Sequence, residues 1–226
     1  MNPINTYIEH TKLNPTLTDR DCEQLVQEAI THQFAGVCIP PYWVKKVRRD
    51  LGEKSNIQLV TVIGFPLGYN RTEVKLKEAE LALHDGATEL DMVLNVSAFK
   101  TGVATWIKPE IAQLAKLSHE AGAMLKVILE TAYLTNEEIV TACRWSVDSG
   151  ADFVKTSTGF APAGATVEHI RLMRQTVGTH AGVKASGGVK TAEQALAMIE
   201  AGADRIGTSS GVSIVMGLQE SSQSAY

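Results

Sequence analysis

Three lysines, three carboxylates and a set of glycine-serine turns carry the chemistry that this sequence can perform. Lys126 lies in MLKVILE, Lys155 in DFVKTS and Lys184 in GVKAS, each a single charge inside a short run of strand-forming residues. Asp91 in ELDMVLN, Glu130 at the end of MLKVILE and Glu9 in YIEHT repeat the pattern with acids, and Cys38 holds a similar place in GVCIP. A lysine attacks carbonyl carbon at neutral pH only when burial or a nearby like charge disfavours its ammonium form. If two such lysines are neighbours, the protonated one makes the other easier to deprotonate. An amine tuned in this way gives a carbinolamine and then an imine, whose cationic nitrogen is an electron sink for making or breaking a carbon–carbon bond. Asp91 can move the protons this requires, directly or through water. The segments after these lysines suit phosphate: Thr156, Ser157, Thr158 and Gly159 follow Lys155, and Ser186, Gly187 and Gly188 follow Lys184. Ser209 and Ser210 follow the last apolar run. Hydroxyls, backbone amides in glycine turns and helix N-termini hold phosphate without much net charge.

The elements that must position these groups alternate along the whole chain. Eight short strand-like runs, YIEHT, GVCIP, QLVTVIGF, ELDMVLN, MLKVILE, DFVKTS, GVKAS and DRIGTS, are separated by amphipathic stretches such as RDCEQLVQEAITH and TEVKLKEAELALHDG. Thr135 with Glu138 and Thr191 with Gln194 have the spacing of capping boxes. A Gly-Ala pair closes a helix before a strand at Gly86, Gly122, Gly150 and Gly202, where glycine can take the left-handed cap conformation. Alternation with short links implies a parallel sheet, and eight units without a linker favour an α/β fold of one (β/α)8 TIM barrel over an open sheet. The domain is expected over 1–218, with a mobile C-terminal tail, QESSQSAY, over 219–226.

Strand parity then decides which side chains face inward. In ELDMVLN, Leu90, Met92 and Leu94 form the apolar set that packs on helices, which turns Asp91 and Asn95 into the barrel. In MLKVILE the same logic puts Lys126 and Glu130 inside, and it points Lys155 and Lys184 inward, with Glu9 and Cys38 joining them. Charges in this number cannot be buried unpaired, since each would cost several kcal/mol, so they must pair with one another or meet ligand. Parity alone leaves three candidate nucleophiles. Lys184 beside it, the inward Asp91 and the phosphate-type loop after it favour Lys155 over Lys126.

Other chemistries find less support. The net charge of −4 leaves no broad basic surface for nucleic acid. Three cysteines without a CxxC pair argue against a disulfide framework or zinc site. The six histidines lack metal-ligand spacing, no Walker A or dinucleotide fingerprint occurs, and no metal or other cofactor is expected. GTSSG, Gly207–Gly211, matches a nucleophile elbow, but no histidine follows His180 to complete a hydrolase triad. Trp43, Trp106 and Trp145 fall in helical stretches and read as packing residues. The chain shows neither a signal peptide nor an apolar run long enough for a membrane span, so a cytoplasmic protein is expected.

The segments IEHTKL, VCIPP, VIGFPLG, ELDMVLN, LKVILET, GADFVKTSTGF, VKASGGV and RIGTSSG, in order and on successive strands, resemble the deoxyribose-phosphate aldolases. These are class I enzymes that join acetaldehyde and glyceraldehyde 3-phosphate to give 2-deoxyribose 5-phosphate, in the degradation of deoxynucleosides. The resemblance spans nearly the whole chain. It implies Lys155 as the Schiff-base lysine, Asp91 as proton donor or acceptor, and Lys184 as the lysine that tunes Lys155 and relays protons. Glu9, Cys38 and Lys126 support them. Thr158, Gly159, Gly187, Gly188, Ser209 and Ser210 would surround the phosphate. Tyr226 matches the terminal tyrosine that in some members reaches the active site. Phe160 departs from the pattern, standing where some relatives carry a lysine near the phosphate, and Pro40–Pro41 replaces what is often a single proline. A homo-oligomer is expected, with a dimer as the assembly. The alternatives are a sugar-phosphate isomerase or transaldolase-like barrel, and a non-catalytic barrel that binds sugar phosphate.

Overall fold

Each strand-like run forms a strand, and each strand pairs in parallel with the next. They are β1 (Ile8–Thr11), β2 (Gly36–Ile39), β3 (Gln58–Ile63), β4 (Glu89–Val93), β5 (Met124–Ile128), β6 (Phe153–Lys155), β7 (Gly182–Ser186) and β8 (Arg205–Thr208). β8 pairs back onto β1, Ile8 opposite Ile206, so the sheet closes as an eight-stranded parallel barrel. Helices α1 (Asp19–His32), α2 (Val44–Leu51), α3 (Thr72–His84), α4 (Val96–Phe99), α5 (Ala104–Glu120), α6 (Asn136–Asp148), α7 (Val167–Val177), α8 (Ala192–Glu200) and α9 (Gly211–Met216) occupy the connections. The fold is a (β/α)8 TIM barrel. This computed structural model describes residues 3–52 and 55–217. The segment 219–226 and with it Tyr226 lie outside the described residues. No described helix is long and apolar enough to cross a membrane.

One local device builds four of the seven connections from an α-helix to the next strand. Gly86, Gly122, Gly150 and Gly202 have φ of 102, 71, 93 and 112°, conformations that a side chain would strain. At each, the glycine N–H donates three residues back and the following alanine N–H donates five residues back, as in Ala87 to Ala82 and Ala203 to Met198. That is the Schellman pattern, and it satisfies carbonyls that the helix end would otherwise leave orphaned. The residue after the alanine then caps the preceding strand. Thr88, Asp152 and Asp204 accept the amides of Leu59, Leu125 and Val183, the second residues of β3, β5 and β7, at 2.9, 2.8 and 2.8 Å. Both expected capping boxes form, and Thr18 with Asp21 makes a third, where a shorter acid replaces the usual glutamate.

The apolar core lies between sheet and helices, where Leu90, Met92, Leu94, Leu125, Val127 and Leu129 are buried. A second, smaller apolar cluster comprises Cys38, Val60 and Val62 on β2 and β3, with Leu13 and Phe65 against it. Trp145 packs edge-on against Phe99, but Trp106, read as a packing residue, is 61% exposed. It sits on the outer face of the first turn of α5, where helical periodicity cannot distinguish an indole from a polar residue. Asn95 also departs from its expected place. β4 stops at Val93, and the Asn95 side chain accepts from the Ala98 amide as the N-cap of α4.

One buried ion pair outside the barrel fixes the end of β4. Lys75 of α3 is fully buried, and its Nζ donates to the Val93 carbonyl at 2.9 Å and to Glu110 of α5 at 2.7 Å. Lys75→Ala would leave Glu110 buried without its cation, a change that typically costs about 3–5 kcal/mol. A urea unfolding curve should show that loss as a lower midpoint. An unchanged midpoint would mean that water reaches Glu110 and the pair contributes little.

Candidate active site

The inward residues meet around a single carboxylate. Asp91, on β4, is fully buried and accepts from three lysines on β5, β6 and β7. Lys126 Nζ donates to Oδ1 at 3.0 Å, and Lys155 and Lys184 share Oδ2 at 2.8 and 2.7 Å. The register makes this possible, because Asp91 lies opposite Lys126 and Lys155 lies opposite Lys184, all with side chains of inward parity. Glu9, from β1 across the barrel, accepts from Lys184 and lies 3.5 Å from Lys126. Burial by itself would raise the Asp91 carboxyl. The ammonium groups of Lys126, Lys155 and Lys184 outweigh it and hold Asp91 well below the usual carboxylate range. Glu9 is likewise lowered, with burial opposed by Lys126 and Lys184.

The three lysines differ in how fully their charge is balanced. Lys126 faces Glu89, Asp91 and Glu9. Burial would lower it, but the three acids raise it above the ordinary lysine range. Lys184 has Asp91 and Glu9, and these too outweigh burial and raise it. Lys155 has one salt-bridge partner, Asp91, and shares the contacted oxygen with Lys184. It is also the one of the three whose side chain keeps a trace of exposure. The cage thus holds two ammonium groups firmly and leaves Lys155 the least compensated, closest to the open C-terminal end. Cys38 borders this cage, and burial pushes its thiol up to about 11, so it stays neutral.

Two members of the cage went unnoticed in the sequence, although parity marks both. Glu89 is two residues before Asp91 and pairs with Lys126, and burial raises its carboxyl. Arg205 is two residues before Gly207, whose added Cβ would touch the Lys184 stem. Its Nε lies 3.8 Å from Glu9, and its guanidinium and the Lys126 ammonium both sit 5.9 Å from the Phe153 ring. Phe153, Glu89 and Arg205 form the floor of the charged interior.

The segments above Lys155 and Lys184 are cross-linked into one surface. Thr156 Oγ1 donates to the Ser186 carbonyl at 3.0 Å and accepts the Ser186 amide, while Ser186 Oγ donates to the Ser157 carbonyl at 2.6 Å. Thr208 Oγ1 donates to the Val189 carbonyl at 2.6 Å and accepts the Ser210 amide, which ties in the loop after β8. Gly159, Gly187 and Gly188 all have positive φ, and an added Cβ at Gly159 or Gly188 would meet nothing within 4 Å. Gly159 and Gly188 therefore border open space, whereas Gly187 packs against Gly164. Thr158 is turned elsewhere: its hydroxyl and amide donate to Glu130. Ser209 is exposed and Ser210 buried. Phe160 is half exposed and stands edge-on to Phe65 at 5.2 Å, so it brings no charge. Lys190, just past Gly188, is the cation those three loops carry. Pro41 opens the short 3-10 turn Pro41–Trp43 at the β2 end, with Pro40 as its cap.

One cavity lies away from the lysines. A groove of about 280 Å³ lies between β1, α1 and α9, lined by Ser209, Ser210, His10, Lys12, Asp21 and Glu28 among others. Its polar groups are already matched, Lys12 with Asp21 as an ion pair and His10 with Glu28 by a hydrogen bond of 2.7 Å. A smaller space of about 50 Å³, bordered by Glu130, Thr158 and Phe160, opens beside the lysine cage. The buried cations and acids converge in the cage and not in that groove. Among the described residues no group of three or more His, Cys, Asp or Glu side chains is placed to hold a metal ion.

The DeoC/LacD family aldolase model matches residues 4–217. The chain is 56% identical over 215 residues to the deoxyribose-phosphate aldolase of Thermococcus gammatolerans, covering 95% of this chain and 96% of the relative. Among solved structures, "QR15, an Aldolase" superposes with a TM-score of 0.90 at 44% identity, with 96% of each chain covered. A deoxyribose phosphate aldolase from Aeropyrum pernix, described as a unique tetrameric structure, gives 0.88 at 36% identity, covering 94% and 89%. A closed barrel with a lysine cage at its open end, matched over nearly its full length by these proteins, belongs to the DeoC/LacD family of aldolases.

Proposed function

We propose that this protein is a deoxyribose-phosphate aldolase that works through a Schiff base on Lys155. The observation that carries the assignment is the unequal sharing of carboxylates: Lys126 and Lys184 each have at least two, and Lys155 has one shared oxygen. In the cleavage direction the neutral Lys155 amine attacks C1 of the open-chain sugar. Loss of water from the carbinolamine gives an iminium ion. A base takes the proton of the C3 hydroxyl, the C2–C3 bond breaks, and its electrons pass into the iminium to leave an enamine. Glyceraldehyde 3-phosphate departs. Protonation at C2 and addition of water release acetaldehyde and restore the amine.

Asp91 is placed to move these protons, because its carboxylate already contacts Lys155 and Lys184 and needs no rearrangement to accept or pass one. Lys184, held charged by Asp91 and Glu9, stands beside Lys155 on the same Asp91 oxygen. Lys126, Glu9 and Cys38 support the cage. The phosphate is assigned to the amides and hydroxyls of Gly159, Gly187, Gly188, Ser209 and Ser210, with Lys190 as the local cation. Three buried, unpaired thiols, Cys22, Cys38 and Cys143, suit a reducing cytoplasm. An assembly of identical chains, a dimer or larger, is part of this reading by likeness to the tetrameric relative.

Incubation with acetaldehyde followed by borohydride tests the mechanism. The expected product carries an N-ethyl group on Lys155, located by mass spectrometry of the peptide containing FVKTSTGF. Protein that turns over substrate without forming that adduct would point to isomerase-type chemistry on a carboxylate base and sink the Schiff-base reading.

A further inference from the structure

Glu130 is a buried acid that the reaction just described does not use. It lies two residues beyond the end of β5, with the same parity as Lys126, and only 3% of its surface is exposed. Its backbone is left-handed, with φ +56° and ψ +65°. Glycine or asparagine adopts that conformation with little strain, whereas glutamate does not, so something specific to the side chain must hold it there. The carboxylate accepts both donors of Thr158, the amide at 3.2 and 3.4 Å and the hydroxyl. Thr158 Oγ1 in turn accepts the Phe160 amide at 3.0 Å, across the turn in which Gly159 takes φ +89°. Backbone bonds run alongside, Leu129 N–H to the Lys155 carbonyl at 2.9 Å and Thr131 N–H to the Thr156 carbonyl at 3.0 Å. The end of β5 is therefore clamped to the turn that starts three residues after Lys155.

We propose that Glu130 is a positioning residue: it accepts strain at its own backbone in order to fix Thr158, and so holds the 158–160 turn with Gly159 open toward the mouth. The inference rests on the assignment of that turn to the phosphate end of the substrate. Strained residues persist where the surroundings over-determine them, and they cluster at sites whose geometry matters. A carboxylate suits the task better than an amide, because both groups it meets are donors and each of its oxygens only accepts. Lys155 itself is held by β6 and by Asp91, so its reaction with a two-carbon aldehyde does not need the turn. A phosphorylated five-carbon substrate does.

Two variants separate strain from positioning. Glu130→Gly removes the carboxylate and relieves the left-handed strain, so it should keep a melting temperature near that of the parent. Glu130→Gln keeps one accepting oxygen. Lost bonds to a charged acceptor correspond to about tenfold or more in binding, so KM for 2-deoxyribose 5-phosphate should rise about tenfold or more in Glu130→Gly and by less in Glu130→Gln. The rate of borohydride trapping with acetaldehyde should not fall in either variant, because the donor does not reach the turn. A KM that does not move in either variant overturns the proposal. So does a parallel fall in trapping and cleavage, because the lesion would then lie at Lys155. Parent protein that forms no adduct and cleaves no substrate would instead overturn the aldolase assignment beneath it.

Discussion

Lys155→Ala is expected to form no borohydride-trapped adduct with acetaldehyde and to lose at least about 10⁴-fold in kcat/KM, since removing a covalent nucleophile removes the pathway and not just one contact. The same variant should stay folded. Asp91 keeps Lys126 at 3.0 Å and Lys184 at 2.7 Å after Lys155 is gone, so no carboxylate is left without a cation. Lys126→Ala is the instructive contrast, because it strips a shared cation from Glu89, Glu9 and Asp91 together. That variant should unfold at markedly lower denaturant, and its activity loss should track its loss of fold. An adduct that persists in Lys155→Ala, mapped to Lys126 or Lys184, would move the nucleophile and overturn the carboxylate-sharing argument.

The barrel and the lysine cage were largely legible from sequence, because strand parity is a period-2 signal that a lone charge breaks visibly. Asp91, Lys126, Lys155 and Lys184 each interrupt an apolar run, and the register then brings them together. The Gly-Ala pairs were readable for a related reason: each glycine takes a backbone conformation that few other residues accept. What escaped was set by tertiary partners. Glu89 and Arg205 stand at the first positions of their strands, where a charge looks like ordinary solvent-facing punctuation. Lys75 looks like one of the many lysines on an amphipathic helix, and only Glu110 and the Val93 carbonyl make its burial possible. The left-handed turn at Glu130 has no sequence mark, because the expected glycine is absent and a side chain 28 residues on holds it in place.

Lys184→Leu should lower kcat/KM at neutral pH and move the acid limb of its pH profile upward. The direction follows from the shared oxygen. Lys155 attacks as a neutral amine, and in the parent it divides Asp91 Oδ2 with an ammonium group that Asp91 and Glu9 keep protonated. Removing that cation has two effects of the same sign: it takes away a like charge beside Lys155 and leaves Asp91 Oδ2 to Lys155 alone. Both alter the charge balance at the attacking amine, and loss of a unit charge at this range typically costs roughly 10- to 1,000-fold in rate at fixed pH below the limb. Activity should recover as the pH is raised. Glu9 keeps Lys126 at 3.5 Å and Arg205 at 3.8 Å, so its charge is not abandoned and the variant can be compared as folded protein. If kcat/KM falls equally at every pH with the limb unmoved, Lys184 acts by relaying protons and not by tuning its neighbour, and the electrostatic division of labour within the cage is wrong.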